Sequence, residues 1–281
     1  MKERSSPVGL VLWHLACMLG CIITVTPFLW AVVSSFKPLS KIFADVVPFS
    51  WKAFVPSPFT VEAYVELFTN TGFLKAMANT FYVSFMVVVF GILLNALAGF
   101  AFAKLDFPGK NTLFVMVMFS FMIPFEAIAI PLYGVVRDLG WLNTYKALII
   151  PGIANGLTVF MFRQFFAGIP SELMEAAVVD GASMLRIFAT IFLPLSKPAL
   201  VGAGLLLFVS QWEAFLWPLI AANTEQVRVI QVAIAYINTQ FSTFWNQIFA
   251  GSVIAGLVPL LLIFPLQKYY VKGLSGTGIK G

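Results

Sequence analysis

Two acidic residues lie inside long apolar runs of the chain, and each has polar or aromatic neighbours that suit binding of a polar solute. Glu126 stands between two prolines, and Glu213 follows Trp212. Asn155 is a third polar residue in such a run. A charge within a bilayer costs about 2.5–3.5 kcal/mol on insertion scales, so its presence suggests a function. We predict a hydrated path lined by Glu126, Asn155, Trp212 and Glu213, because carboxylates and amides bind hydroxyl groups whereas indole rings stack on apolar faces.

A structural role for the same residues remains open at this stage. Each acid could bond to a neighbouring helix, or lie near the outer interface, where Trp is common. No Lys or Arg accompanies Glu126 or Glu213 within their apolar runs. An anionic cargo is therefore disfavoured.

Catalytic and metal-binding motifs are missing from the sequence. It has no G-x-x-x-x-G-K-[ST] phosphate loop and no H-E-x-x-H motif. His14 is the single histidine, and the two cysteines, Cys17 and Cys21, share one face of the first apolar run. We predict no catalytic residue, no metal site and no cofactor in this chain. Any ATP hydrolysis must come from another subunit.

The composition defines the elements that must position these residues. Of 281 residues, 60% are hydrophobic and 10% charged. A soluble domain carries about 25% charged residues. A soluble enzyme, a disordered chain and a nucleic-acid-binding domain are thus excluded. Because about 20 apolar residues cross a bilayer as a helix, we predict an all-α integral membrane protein, one domain over residues 1–281. The six predicted spans are residues 8–33, 81–103, 113–133, 147–166, 199–222 and 247–266.

Basic residues in the connecting segments predict the orientation. With both termini inside, the inner segments hold ten Lys and Arg residues and the outer segments seven. Cytoplasmic loops carry the excess of these residues. We expect a multi-pass protein with both termini in the cytoplasm.

The segment between the fourth and fifth spans is too long and too polar for a simple connection. Pro170 and Ser171 favour a helix start, and Glu172 and Glu175 suit a first helical turn. Gly181 favours a stop. A second amphipathic stretch covers residues 184–192. We predict a short cytoplasmic helix, a break, and a second helix that returns to the membrane.

The small side chains of Ala176 and Ala177 would let another surface approach the first helix closely, with Glu175 and Asp180 beside them. Such a helix suits a groove on another protein. A helix resting on lipid is the alternative. The absence of Lys and Arg from residues 172–183 favours the protein groove over the lipid.

The same segment resembles the EAA loop of permease subunits in ABC importers. The resemblance rests on residues 175–177 (EAA), residues 180–183 (DGAS), Ile191 and residues 193–194 (LP). Other segments resemble the carbohydrate-importer branch, which includes the second permease of maltose-type systems. These are residues 124–133 (PFEAIAIPLY), 139–145 (LGWLNTY), 163–170 (RQFFAGIP), 212–219 (WEAFLWPL) and 267–281 (QKYYVKGLSGTGIKG).

This resemblance implies a type 1 importer permease whose EAA loop, residues 167–198, contains a coupling helix. That helix would dock on a dimer of cytoplasmic ATPase subunits, which bind ATP and Mg. Glu175 would contact the ATPase, the two alanines would seat the helix, and Gly181 would permit the bend. The ATPase-coupling residues implied are Glu175, Ala176, Ala177, Asp180, Gly181, Ala182 and Ser183.

The resemblance further implies a second homologous permease chain, an extracytoplasmic solute-binding protein, and a sugar or polyol as cargo. The expected location is the cytoplasmic (inner) membrane of a bacterium or archaeon, surrounded by lipid and without nucleic acid. A secondary transporter driven by an ion gradient is the alternative, because such proteins place ionisable residues in broken helices. The long insert would then have no purpose. A membrane-embedded enzyme lacks a recognisable catalytic set.

Overall fold

A computed structural model of the chain describes the backbone of residues 7–238 and 242–275, with side chains for residues 9–238 and 242–266. These described residues form helices and no named strand. Four helices are long and apolar enough to cross a membrane, and two bent helix pairs bring the number of candidate spans to six. The predicted all-α membrane fold is confirmed. The basic residues of both tails and the motif at residues 267–281 lie outside the described side chains.

Most helices follow one another with short links, but the segment of residues 36–61 between the first two α-helices is long and contains two 3-10 helices, Leu39–Lys41 and Trp51–Phe54. The bounds of the α-helices are α1 Pro7–Ser35, α2 Glu62–Asn70, α3 Phe73–Lys104, α4 Lys110–Met122, α5 Phe125–Asp138, α6 Tyr145–Ile153, α7 Gly156–Ala167, α8 Glu172–Val179, α9 Met184–Ile187, α10 Leu193–Leu195, α11 Lys197–Trp212, α12 Leu216–Ala221, α13 Ile230–Tyr236 and α14 Trp245–Ser275. A π-helical segment, Phe188–Phe192, joins α9 to α10. At the start of α2, the hydroxyl of Thr60 accepts a hydrogen bond from the amide of Glu62, 3.1 Å long.

Three of the six predicted spans are interrupted, the third near its prolines and the fourth and fifth near polar residues. In the third span, the chain bends by 102° between α4 and α5. Ile123 is extended because a residue before proline is sterically pushed out of the helical region, so the chain breaks at Pro124. Pro131, also expected to kink the chain, lies within the helix α5.

The fourth and fifth spans are interrupted near their polar residues. The fourth consists of α6 and α7, which are separated at residues 154–155. The fifth ends its long helix at Trp212, so Glu213 lies at the C-cap of α11 rather than inside a helix. At its other end, α11 meets the segment Met184–Leu195 at 85°.

The chain divides into two compact units. The first contains the described residues of Met1–Phe73 and Ala233–Leu257. Within it, Lys37 is fully buried and its ammonium donates to the carbonyl of Lys52, 2.8 Å away. Trp30 packs edge-to-face on Phe249, with ring centroids 5.1 Å apart. These contacts order the segment that follows α1. That all residues form a single permease domain stays a prediction.

The second unit contains the described residues of Leu74–Val232 and of Val258–Gly281. One of its cores lies around Trp217 and Leu148. Beside that core, the backbone amide of Asn143 donates to the carbonyl of Ala221, and its side-chain oxygen accepts from the amide of Asn223. The motif at residues 139–145 therefore fixes the link between α5 and α6 to the end of α12.

Candidate functional site

The predicted insert folds as a helix, a tight turn and a second helix. Gly181 has a φ of +76°, a conformation in which glycine has no steric cost. The amide of Ala182 donates to the carbonyl of Ala177 and the amide of Gly181 to that of Val178, at 2.9 and 3.0 Å. This pair of hydrogen bonds is the Schellman motif, which ends α8. The hydroxyl of Ser183 then accepts from the amide of Arg186 at the start of α9, at 3.4 Å.

An aromatic cluster supports this insert. We define it as Phe100 of α3, Phe162 and Phe166 of α7, and Phe188 and Phe192 of the π-helical segment; all five are buried. The rings of Phe100 and Phe192 have centroids 4.9 Å apart and meet edge-to-face. Because the cluster joins three parts of the chain, the insert is packed onto the ends of α3 and α7.

Five residues of the insert are partly buried against the core that contains this cluster: Met174, Ala177, Ala182, Ile191 and Leu193. The small side chain of Ala177 thus lets α8 approach its own transmembrane helices. Ala176 is exposed on the same helix. The two alanines, which the sequence suggested would act alike, lie in different environments.

The exposed surface of the insert combines charged side chains with apolar ones. Glu175 and Asp180 are exposed. Val179 is 86% exposed and Leu185 is 70% exposed. Aliphatic side chains this exposed next to carboxylates are typical of a surface that another protein covers.

Both predicted acids lie at helix ends. Glu126 is in the first turn of α5, directly after the break at Pro124, and Glu213 follows the last residue of α11. Both are exposed in this chain. In the part of the chain with described side chains, neither carboxylate has a hydrogen-bond or ion-pair partner. The ring of Phe125 packs edge-to-face on Trp217, with centroids 5.9 Å apart, and so links the start of α5 to α12.

The other two predicted residues have structural contacts. Trp212 is 1% exposed, and its ring packs against Phe81 and Phe208. Asn155 is half-buried, and its side-chain oxygen accepts hydrogen bonds from the amide and the hydroxyl of Thr158, both at 2.9 Å. It therefore caps α7.

Asn95, which is not among the candidate site residues predicted from the sequence, makes two specific hydrogen bonds. It is fully buried in α3. Its amide nitrogen donates to the carbonyl of Ile153, at 2.9 Å, and its oxygen accepts from the backbone amide of Asn155, at 3.1 Å. The signal in the sequence was a lone amide within a membrane span, where such side chains usually bond across helices.

Lys104 is the second functional candidate that sequence reasoning missed. It is the last residue of α3, and its ammonium binds the backbone just before α8. In the sequence it is one of the ten basic residues that the predicted orientation assigns to the inner segments.

Comparison with known proteins establishes the class to which this fold and insert belong. Residues 88–276 match the family of binding-protein-dependent transport system inner membrane components. The chain belongs to this family. It is a permease subunit of a binding-protein-dependent ABC transport system, located in the inner membrane.

Relatives of known role are similar over the full chain. The arabinooligosaccharides transport system permease protein AraQ of Halalkalibacterium halodurans is 33% identical, and the match covers all of both chains. The sn-glycerol-3-phosphate transport system permease protein UgpE of Rhizobium meliloti is 32% identical, over 96% of this chain and 98% of that one.

A solved structure has the same fold. It belongs to a bacterial ABC transporter involved in the import of the acidic polysaccharide alginate. The TM-score is 0.81 at 21% identity, and the match covers 96% of this chain and 99% of that chain. Family membership favours the importer over an ion-gradient transporter.

Proposed function

We propose that α8 is the coupling helix through which a cytoplasmic ATPase dimer drives this permease. The observation that carries the proposal is the exposed face of α8, held on the aromatic cluster from behind and ended by Gly181. On that face Glu175 and Asp180 offer charge, Ala176 permits close approach, and Val179 offers apolar area. A groove lined by apolar and basic groups would complement it. Closure of the ATPase dimer around ATP and Mg would then move α8.

The remaining coupling residues shape the insert rather than touch the partner. Ala177 and Ala182 pack inward, Gly181 forms the turn, and Ser183 caps α9. The complete importer would hold a second homologous permease and an extracytoplasmic solute-binding protein. Both termini of this chain would lie in the cytoplasm, on the side of α8.

The cargo we propose is a neutral sugar or a polyol. Glu126 and Glu213 are exposed at helix breaks without a basic partner among the described side chains, which suits hydroxyl groups and repels anions. Asn155 and Trp212 would complete the path in another conformation of the transporter. The name of AraQ, an arabinooligosaccharide permease, supports a carbohydrate.

Site-specific cross-linking tests the coupling helix. Cys17 and Cys21 are exposed and are first replaced by Ser. A cysteine is then placed at Val179, and a control cysteine at Asp106, which is exposed in the link between α3 and α4. We expect a short bifunctional reagent to join residue 179, and not residue 106, to an ATPase subunit that carries a groove cysteine. Equal cross-linking from both positions, or none from 179, would contradict the proposal.

A pair of substitutions at Gly181 tests the turn. A Cβ atom there would meet nothing within 4 Å, so only the positive φ restricts the residue. Asn tolerates this conformation and Val does not. We expect Gly181→Val to lose uptake while the protein still enters the membrane, and Gly181→Asn to retain uptake. Normal uptake in both variants would remove the turn from the coupling mechanism.

The cargo is tested with the purified importer in proteoliposomes. Vanadate-sensitive ATP hydrolysis is measured with the solute-binding protein and a panel of neutral oligosaccharides, polyols and sugar phosphates. We expect stimulation by neutral compounds. Stimulation by sugar phosphates alone would overturn the assignment of a neutral cargo and leave the coupling proposal intact.

A further inference from the structure

The end of α3 is bonded to the backbone that leads into α8. The ammonium of Lys104 donates to the carbonyl of Ile169, at 2.6 Å, and to the hydroxyl of Ser171, at 3.3 Å. It also lies 5.7 Å from the ring centroid of Phe192, on the arm of the insert that follows α8. A single cation therefore contacts both arms of the insert.

A lysine at a cytoplasmic helix end usually extends into water or towards lipid head groups. Lys104 is half-buried instead. Hydrogen bonds from a charged donor are roughly twice as strong as neutral ones, and they have a defined direction. These bonds hold the residues just before α8 at a fixed distance from α3.

Ser171 is itself hydrogen-bonded to the first turn of α8. Its carbonyl accepts from the amides of Met174 and Glu175, at 2.9 and 3.0 Å, and so forms the first turn of the helix. Ile169 is buried against the aromatic cluster. A displacement of α8 thus reaches α3 through one ammonium group, in addition to the packing of aromatic rings.

We propose that Lys104 is a positioning residue that transmits the movement of α8 to the transmembrane helix α3. The proposal rests on the proposed function of α8 as the coupling helix. Apolar packing alone has no preferred direction along the contact. Without the ammonium, α8 would move against the cluster while α3 lags behind, and ATP would be hydrolysed without transport.

The test measures ATP hydrolysed per cargo molecule taken up, in proteoliposomes that contain the whole importer. Lys104→Met keeps the length of the side chain and removes its charge. We expect this ratio to rise by at least about fivefold, since coupling between sites commonly lies in that range. Lys104→Arg keeps the donor and should stay near the wild-type ratio.

Lys110→Met is the matched control. Lys110 lies nearby in sequence, and its described ionic contact is with the exposed Asp106, at 3.3 Å. We expect it to leave the ratio unchanged. A wild-type ratio in Lys104→Met, or an equal rise in Lys110→Met, would overturn the proposal.

A further variant keeps the test decisive if Lys104→Met fails to assemble. Ser171→Ala removes one acceptor and keeps the carbonyl of Ile169, so a smaller rise, about twofold, is expected. An unchanged ratio would then overturn the proposal.

Cross-linking from residue 179 separates this inference from the proposed function. If the cross-link persists in Lys104→Met while the ratio rises, both ideas are supported. If it persists and the ratio is that of wild type, only the role of Lys104 fails. If the wild-type importer gives no cross-link, the assignment of α8 fails first.

Discussion

Two interrupted spans of the second unit differ in the side chain that lies at the break: a buried amide at one and an exposed carboxylate at the other. At the break between α6 and α7, Asn95 bonds to the carbonyl of Ile153 and to the amide of Asn155. At the break after α11, Glu213 leaves its carboxylate exposed, without a partner among the described side chains. We call the break between α6 and α7 the closed break, because Asn95 bonds to its backbone groups. We call the break after α11 the open break, because it presents the exposed carboxylate of Glu213.

The difference indicates which break serves transport. Interrupted helices persist within a membrane only where protein or water satisfies the backbone. Protein does so at the closed break, and it leaves no room: a Cβ atom at Gly156 would lie 2.9 Å from the carbonyl oxygen of Val117. An exposed carboxylate needs water or a polar cargo. We infer that the closed break is structural in this conformation and propose that the open break faces the path.

Asn95→Leu should give the largest effect. The substitution keeps a similar volume but leaves the carbonyl of Ile153 and the amide of Asn155 without partners, at about 1–3 kcal/mol for each group. We expect a clear loss of thermal stability of the purified chain and of its amount in membranes.

Leu94→Ala provides the comparison for Asn95. Leu94 is the neighbouring residue on α3 and is 49% exposed, so its truncation should leave the melting temperature nearly unchanged. An Asn95→Leu variant as stable as Leu94→Ala would show that its hydrogen bonds do not hold the break closed.

Gly156→Ala should follow in size. The new methyl group would lie 2.9 Å from the carbonyl oxygen of Val117 and 3.0 Å from the Cβ of Phe121. Overpacking of this kind costs about 1–3 kcal/mol.

The same change at Gly134 of α5 meets nothing within 4 Å. There it should be neutral or stabilise the helix by up to about 1 kcal/mol. The melting temperature should therefore fall for Gly156→Ala and stay the same or rise for Gly134→Ala. A parallel shift would show that α7 does not pack closely on α4.

The sequence predicted the elements better than it predicted their interruptions. Long apolar runs define spans by length alone, so each predicted span overlaps one of the four long apolar helices or one of the two bent helix pairs. The break at Pro124 follows from the rule for residues that precede proline, but the break at residues 154–155 depends on Asn95, which lies about 60 residues earlier. A long-range side-chain contact of this kind has no local signal.

The candidate site was predicted in the same uneven way. Gly181 and the two helices around it have local signals, and the structure reproduces them. The inward direction of Ala177 and the bond from Lys104 to Ile169 depend on how α8 packs on α3 and α7. Tertiary packing decides both, so spacing in the sequence could not reveal them.

Glu213→Gln tests the open break. The carboxylate becomes a neutral amide of the same shape, and one charged acceptor for cargo hydroxyls is lost. We expect the KM for uptake to rise about two- to tenfold, which corresponds to one hydrogen bond, with stability unchanged. Glu225→Gln, an exposed acid beyond α12, should leave the KM as it is. Equal behaviour of the two variants would assign Glu213 a place outside the path.

The smallest effect is expected at Asn155, a residue that already makes structural hydrogen bonds at the closed break. Its side-chain oxygen caps α7 through Thr158. Ser caps a helix about as well as Asn, whereas Ala loses about 1 kcal/mol. Asn155→Ser keeps a capping oxygen and loses the amide nitrogen, so its melting temperature should equal that of wild type. Asn155→Ala loses the cap, so its melting temperature should fall. If the nitrogen contacts cargo, the KM of Asn155→Ser rises about twofold, the loss of one weak hydrogen bond. A KM equal to that of wild type would make the fourth-span break wholly structural and leave Glu126 and Glu213 as the polar contacts of this chain with its cargo.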